Sequence, residues 1–216
     1  MSRHKHNSRR RWVIAGVVIA GGAAAGLVVP TVLRTEQADK PEPTRPATHV
    51  GQLVVTPEVS FATVSWQDFH GVGLPYSTGD GPRSFNGGRA VGFARTPLGA
   101  LLAAVHIAVR ANPQWGPKVF EPTIGDQVIG PDAEALLAST REAYDRLRGD
   151  RPDGAELGRG YVVLEGFRWL AYSSQVACVD LVSAGPGDSD VTVRAVTRIQ
   201  LHWQDGDWRV WSKTTS

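Results

Sequence analysis

The sequence predicts an α+β domain that follows a single N-terminal transmembrane helix. Three observations support this fold class. A long apolar run without charges lies near the N-terminus, two segments in the middle of the chain have helical periodicity, and apolar residues alternate with polar ones in the C-terminal part. A period near 3.6 indicates amphipathic helices, and a period of two indicates half-buried strands. We therefore expect helices packed on an antiparallel sheet.

The first predicted element is the transmembrane helix. Residues 12–33 form a run of 22 residues without a charge, long enough as a helix to cross the roughly 30 Å hydrocarbon core of a bilayer. The first eleven residues carry a charge of +5, and an excess of Lys and Arg marks the cytoplasmic side of a span. We expect a cytoplasmic tail over 1–11 and a single pass through the cell membrane over 12–33. The C-terminal domain is then extracytoplasmic.

Two alternatives to an uncleaved anchor stay open. The triplet Ala23-Ala24-Ala25 fits a signal-peptidase site, and the segment 8–13 resembles a twin-arginine export signal. Length favours the anchor, because the apolar run continues to Leu33. Gly22 and Gly26 have the spacing that lets two helices approach closely, which is compatible with a homo-oligomer, although glycine is common in membrane helices.

Composition narrows the range of functions. Residues 34–50 contain three prolines and read as a linker, which leaves one domain over 51–216. Without the basic tail the chain carries a net charge of −3, so no nucleic-acid partner is expected. Cys178 is the only cysteine, and we expect it to be buried in a strand. The histidines have no metal-ligand spacing, and we expect neither a metal nor a cofactor.

The start of the domain is predicted as strands followed by a long loop. The strands cover 52–56 and 59–69. The glycine-rich stretch 71–92 reads as a surface loop, and it lacks the Gly-Lys-Ser/Thr ending of a phosphate-binding loop. Long loops are frequent docking sites, so Arg83 and Phe85 are candidate partner-binding residues.

Two helices are predicted next. The first begins with Thr96 as N-cap and Pro97 at the first helical position, and it ends before Asn112-Pro113. An irregular segment over 114–130 follows. The second helix starts near Pro131-Asp132 and ends at Gly149, with its apolar stripe formed by Ala133, Leu136, Leu137, Thr140, Tyr144 and Leu147.

An antiparallel meander is predicted at the C-terminus. Its strands cover 161–171, 175–183 and 190–203, and Asp205-Gly206 forms a two-residue hairpin turn before the last strand. This turn sets the predicted register of the hairpin, which pairs Trp203 with Trp208 and Leu201 with Val210 on the core face, and His202 with Arg209 in solvent. The first strand is apolar on both faces, so we expect one face, with Phe167 and Trp169, to bind a partner.

The run from Leu201 to Val210, with its W-x-D-G-x-W pattern, resembles the last hairpin of the nuclear transport factor 2-like fold, in which helices pack on a curled antiparallel sheet. The layout of one span before such a domain is similar to assembly subunits of type IV secretion and TcpC-type conjugation systems. A narrower likeness is to membrane-anchored conserved proteins of actinomycetes, through Leu74-Pro75-Tyr76-Ser77, Gly81-Pro82, Gly92-Phe93-Ala94-Arg95-Thr96-Pro97-Leu98-Gly99-Ala100 and Gly166-Phe167-Arg168.

The resemblance implies a noncatalytic scaffold or assembly component whose partners are the membrane and other envelope or conjugation proteins. Two alternatives stay open, because this fold encloses a pocket between helices and sheet. One is a small-ligand-binding module. The other is an enzyme with Glu165 or Asp180 as general base, since burial beside Phe167 and Trp169 would raise the pKa of a carboxyl group. We interpret His106, at the border of the first helical stripe, as a residue bound to a backbone carbonyl and not as a catalytic base.

Overall fold

The fold is taken from a computed structural model that describes residues 56–155, 157, 163–186 and 192–213. The predicted tail, transmembrane helix and linker over 1–50 lie outside the described residues. None of the helices in these described ranges has both the length and the hydrophobicity that a membrane span requires.

The described residues form three α-helices and nine strands. The helices are α1 (Pro97–Arg110), α2 (Pro117–Gln127) and α3 (Ala133–Arg148), and a 3₁₀ turn, Pro113–Trp115, joins the first two. The strands are β1 (Val64–Phe69), β2 (Val72–Ser77), β3 (Ser84–Asn86), β4 (Arg89–Val91), β5 (Val128–Ile129), β6 (Val163–Tyr172), β7 (Val176–Pro186), β8 (Thr192–Gln204) and β9 (Asp207–Trp211).

The main sheet has the strand order β5-β9-β8-β7-β6. Strands β6 to β9 form the predicted antiparallel meander, and only the short β5 pairs in parallel, with β9. Strands β1 and β2 form one separate hairpin, and β3 and β4 form another. Helix α1 lies against β7, β8 and β9 on one side and against β2 and β4 on the other. The α+β class with a mostly antiparallel sheet is therefore confirmed.

Helix α1 begins as predicted. The side chain of Thr96 accepts a hydrogen bond of 3.0 Å from the backbone N–H of Gly99, and Pro97 occupies the first helical position. A proline there costs nothing, because its missing N–H would have no partner inside the helix. Helix α1 is buried on nearly all sides, which fits its place between the main sheet and the two small hairpins.

The prediction of an irregular segment over 114–130 is wrong, because α2 and β5 occupy most of it. Pro122 and Gly125 lie inside α2, and both residue types are unfavourable in a helix interior. Packing compensates for this weak propensity, since Phe120 and Ile124 are fully buried and Phe120 contacts Tyr144 of α3. Tertiary contacts therefore form this helix where local sequence disfavours it.

The prediction of a long loop over 71–92 is also wrong. The stretch contains β2, β3 and β4, and Val72 and Leu74 of β2 belong to the core. Its glycines read as a loop, but several lie at tight turns: Gly87 and Gly88, with φ of 54° and 83°, connect β3 to β4. A two-residue hairpin turn of this kind requires positive φ at both positions.

The predicted strand over 59–69 begins only at Val64. Val59 and Phe61, which were expected to lie in this strand, are partly buried against the core without belonging to a strand. Of the predicted strand over 52–56, only Thr56 is among the described residues, and it is not in a strand.

The hairpin of β8 and β9 has the predicted register. Trp203 pairs with Trp208, Leu201 with Val210, and His202 with Arg209. The carboxylate of Asp207 ties this hairpin to the segment before α1, because it accepts hydrogen bonds from the backbone N–H groups of Gly92, at 2.8 Å, and Phe93, at 3.1 Å. His202 stacks on Trp211 and is partly buried, so its predicted solvent exposure is only partial.

Helix α3 follows its predicted stripe except at the end. Leu136, Thr140 and Tyr144 are buried, but Leu147 is 54% exposed. Leu147 lies in the last turn of the helix, at a point that the core does not cover.

Candidate functional site

A partly open cavity of about 220 Å³ lies between the β1–β2 hairpin, the β3–β4 hairpin and α1. We call it the Arg110 cavity. Strands β1 and β2 supply one wall, the β3–β4 hairpin supplies the mouth, and the last turns of α1 supply the floor. Its lining residues are Gln67, Asp68, Phe69, Leu74, Phe85, Gly88, Arg89, His106 and Arg110.

Arg110 is a buried cation at the end of α1, with 4% of its surface exposed. Its guanidinium carbon lies 3.8 Å from the centre of the Phe69 ring and 5.3 Å from that of Phe85, distances at which a ring face attracts a cation. One nitrogen, Nη1, donates to the carbonyl of Gly88 at 3.3 Å. Burial lowers the pKa of Arg110 to about 10, so the side chain stays charged at neutral pH.

The charge of Arg110 has no counter-ion among the described residues. No carboxylate of these residues forms an ion pair with it, and Nε has no hydrogen-bond acceptor among them. Arg89, the other cation at the cavity, is paired with Asp126. The carboxylate of Asp68 accepts a hydrogen bond of 3.2 Å from the N–H of Gly71 at the rim.

His106 lies one helical turn before Arg110 and is fully buried. Its Nε2 is 2.8 Å from the carbonyl oxygen of Pro75. A carbonyl only accepts, so Nε2 carries the proton, and Nδ1 is left as an acceptor that has no partner in the part of the chain that the structure describes. The predicted carbonyl partner is therefore present, although the residue lies in the interior and not at a border.

The charge state of His106 follows from its surroundings. Burial lowers its pKa most, the hydrogen bond to Pro75 opposes this, and the charge of Arg110 lowers the pKa further, to about 3 in total. The imidazole is therefore neutral at physiological pH.

The predicted partner-binding residues lie in two different places. Phe85 stands at the mouth of the Arg110 cavity and is 52% exposed. Arg83 precedes β3, is exposed, and packs its aliphatic stem close to Gly92. Trp169 is buried, and Phe167 is partly buried between Trp169 and Phe61 at ring distances of 6.1 and 5.9 Å. These two aromatic residues thus belong to the core side of the sheet, and their partner-binding role stays a prediction.

The two candidate carboxylates lie on the opposite face of the sheet from Phe167 and Trp169, so the expectation that they share a face with these rings is wrong. Asp180 pairs across the strands with Arg168, at a position between those of the two rings. Glu165 lies at a β-bulge between Leu164 and Gly166. A bulge inserts an extra residue and re-aims its side chain.

Both carboxylates are held in ion pairs with arginines. Asp180 accepts from Arg168 at 2.7 Å and from Arg198 at 2.9 Å, and only 1% of its side chain is exposed. Glu165 accepts from Arg194 at 2.7 Å. Burial raises the pKa of Asp180, but the hydrogen bonds and charges of the two arginines together outweigh it, so the pKa lies below its ordinary value. A raised pKa suited to a general base is therefore absent at Asp180.

The ion pairs of Asp180 predict a pH-dependent contribution to stability. Because the folded-state pKa lies below the ordinary value of 3.8, the ionised carboxylate contributes fully above that value, and its contribution is lost as the pH falls through the folded-state pKa. We expect Asp180→Asn to lower the free energy of unfolding at neutral pH and to lose this effect in acid. Urea unfolding of both proteins from about pH 7 to about pH 2.5 measures the difference. A difference that stays constant over this range would contradict the ion-pair account.

Cys178 lies on the same outer face, opposite Gln200 of β8. It is free and partly buried, and not fully buried as predicted. Burial is the largest influence on its thiol and raises its pKa, which makes the thiolate scarce at neutral pH. No group of three metal-ligating side chains occurs among the described residues.

Sequence reasoning did not single out Arg110. A basic residue in the last turn of a helix is typical, because it complements the helix dipole, and this explanation leaves no reason to look further. The one available signal was its spacing of four residues from His106, which places both side chains on one face of α1. The two hairpins that cover this face were read as loop and strand, so the cavity could not be inferred.

Comparison with known families gives one match. Residues 24–216 match the family model of a domain of unknown function, DUF8175. Since the match covers most of the sequence, the chain belongs to this family. No curated protein and no solved structure matches the chain.

Proposed function

We propose that this member of the DUF8175 family is a noncatalytic docking domain, a scaffold or assembly component of an envelope or conjugation-like complex. The apolar run over 12–33 and the +5 charge before it support an anchor that holds the domain outside the cell membrane. Helices packed on an antiparallel meander that ends in the Trp203–Trp208 hairpin support a nuclear transport factor 2-like fold.

The noncatalytic assignment rests on one observation: each of the candidate acids and bases is already bonded to another group of the protein. Glu165 and Asp180 are ion-paired with arginines on the sheet face that points away from the helices. His106 is bound to the carbonyl of Pro75 and has a pKa of about 3. An acid–base pair needs two groups that titrate near the working pH within reach of one substrate, and these three side chains do not provide one.

The mouth of the Arg110 cavity is the proposed docking surface. Phe85 is an aromatic ring on a projecting hairpin and is half exposed. Exposed aromatic residues next to a cavity are typical of interaction sites, because they bury much apolar area on binding. The buried cation behind Phe85 adds a specific polar contact to this apolar rim.

We expect Phe85→Asp to abolish co-purification of the partner proteins from solubilised membranes. The substitution replaces the apolar rim of the cavity by a charge, which opposes desolvation of the interface. Leu147→Asp is the matched control, since Leu147 is 54% exposed against 52% for Phe85 and lies on α3. Quantitative mass spectrometry of the captured material measures both variants after their folding has been checked by circular dichroism.

Two outcomes would contradict the docking function. Partner recovery that is unchanged in Phe85→Asp, or equally reduced in Leu147→Asp, would remove the proposed surface. Loss of the cellular phenotype in Glu165→Gln with unchanged partner recovery would favour the enzyme alternative instead. A module that binds a small ligand is the second candidate function, since the cavity of about 220 Å³ has room for a ligand smaller than those of typical drug-sized pockets.

A further inference from the structure

We propose that the Arg110 cavity binds a carboxylate group. This inference rests on the docking function proposed above and names the chemistry of the group that the domain captures. The C-terminal residue of a protein has this chemistry, and so does a free small carboxylic acid.

The carboxylate is inferred from the incomplete pairing of Arg110. A buried cation is normally paired, because removing it from water is costly unless an opposite charge compensates. In the described part of the chain, Arg110 has one carbonyl acceptor and two aromatic rings but no carboxylate. A guanidinium presents a planar fork of donors that matches the two oxygens of a carboxylate. An incoming carboxylate would therefore supply the missing charge.

His106 supplies no contact to the ligand. Its Nε2–H donates to the carbonyl of Pro75, and its Nδ1 has almost no accessible surface. Arg110 is therefore the side chain that selects the charge of the ligand.

The walls indicate the size and polarity of the rest of the ligand. Phe69, Leu74 and Phe85 contribute apolar surface, which favours an aliphatic or aromatic body. A volume of about 220 Å³ is below the range of roughly 300–1,000 Å³ that is typical for drug-sized ligands. One amino-acid residue is therefore a better match in size than a nucleotide or a longer peptide.

The other charged groups of the cavity do not remove the need for an anion. Arg89 is occupied by Asp126. Asp68 is exposed at the rim and accepts from the N–H of Gly71, and it is not ion-paired with Arg110 among the described residues.

Calorimetric titration of the detergent-solubilised full-length protein with three matched probes tests the proposal. N-acetylleucine and 4-methylpentanoate both carry a carboxylate on an aliphatic body, and N-acetylleucinamide lacks the charge. We expect saturable binding of the two acids and binding at least about tenfold weaker for the amide, because the amide leaves the buried cation without a counter-ion.

Variants locate the binding to the cavity. Arg110→Met keeps the aliphatic stem and removes the fork, so we expect it to lose binding of N-acetylleucine. Arg110→Lys should retain weaker binding, since it keeps the charge but not the bidentate geometry. Arg151→Met is the control, because Arg151 is an exposed arginine that does not line the cavity, and its affinity should equal that of the wild type.

Three results would overturn the proposal: no saturable binding of N-acetylleucine up to about 50 mM, equal binding of N-acetylleucine and its amide, or unchanged affinity in Arg110→Met. The comparison of probes uses the wild-type protein, so the test holds even where a variant does not fold.

Partner recovery in Arg110→Met identifies the source of the carboxylate. If Arg110→Met loses the same partner proteins as Phe85→Asp, the carboxylate belongs to a partner chain. If Arg110→Met recovers all of these proteins, the carboxylate belongs to a free small acid. Binding of N-acetylleucine together with normal partner recovery in Phe85→Asp would reject the docking function while this inference stands.

Discussion

Trp208→Ala is expected to lower the free energy of unfolding by about 3 to 5 kcal/mol, as truncation of a large aromatic residue in a core does. Trp208 is 0% exposed. Its ring packs edge-on against Trp203 at 5.4 Å, and its Nε1–H donates to the carbonyl of Ala94 at 2.9 Å. The substitution therefore opens a cavity and also removes a hydrogen bond from the partly buried carbonyl of Ala94. Urea or thermal unfolding followed by circular dichroism measures the change.

The matched control for this prediction is Trp66→Ala. Trp66 lies in β1 and is 45% exposed, so its loss should cost about 1 kcal/mol or less. Equal destabilisation by the two substitutions would contradict the central place of the β8–β9 hairpin in the core.

Gly99→Ala is expected to destabilise the protein by about 1 to 3 kcal/mol, as overpacking in a close-packed region does. A Cβ atom at this position of α1 would lie 2.1 Å from the carbonyl oxygen of Ala94 and 2.9 Å from its carbon. Both are backbone atoms, so neither can move aside as the end of a flexible side chain would. The N–H of Gly99 also receives the capping bond from Thr96, and a shift of the helix start would weaken that bond.

The control is Gly125→Ala in α2, where a new Cβ atom would have no neighbour within 4 Å. Helix propensity then acts alone, and alanine should stabilise the protein by about 0.5 to 1 kcal/mol. Both substitutions replace a glycine by an alanine, but they are predicted to change the free energy of unfolding in opposite directions. Stabilisation by both would show that the approach of α1 to Ala94 is looser than described.

The elements with strong local signals could be predicted from the sequence. The Asp205-Gly206 turn determines the pairing of β8 with β9, because a two-residue turn allows only one register. The Thr96-Pro97 start of α1 is equally local. In both places short-range chemistry and tertiary packing favour the same structure, so no knowledge of the rest of the fold is needed.

The elements with conflicting local signals could not be predicted. Helix α2 contains Pro122 and Gly125, and its stability comes from burial of Phe120 and Ile124 against parts of the chain that are distant in sequence. The strands β2, β3 and β4 could not be recognised in the stretch 71–92, because the sequence does not distinguish glycines of hairpin turns from glycines of a long loop.

The candidate site could be predicted only in part. Phe85 was singled out as a binding residue on a loop, and it does stand at the mouth of a cavity. The cavity itself is built from β1, β2, the β3–β4 hairpin and α1. The position of Arg110 inside a cavity could therefore be recognised only once the arrangement of these elements was known. The bulge at Glu165 could not be foreseen either, since strict alternation places that carboxylate on the other face.

Photo-crosslinking from position 85 tests the docking claim most directly. A benzophenone amino acid replaces Phe85 in the full-length protein in its native membrane, and a second sample carries it in place of Leu147, a residue of nearly equal exposure on α3. Docking at the mouth of the Arg110 cavity predicts a discrete crosslinked protein from position 85 and none from position 147. No crosslink from position 85, or the same products from both positions, would contradict it.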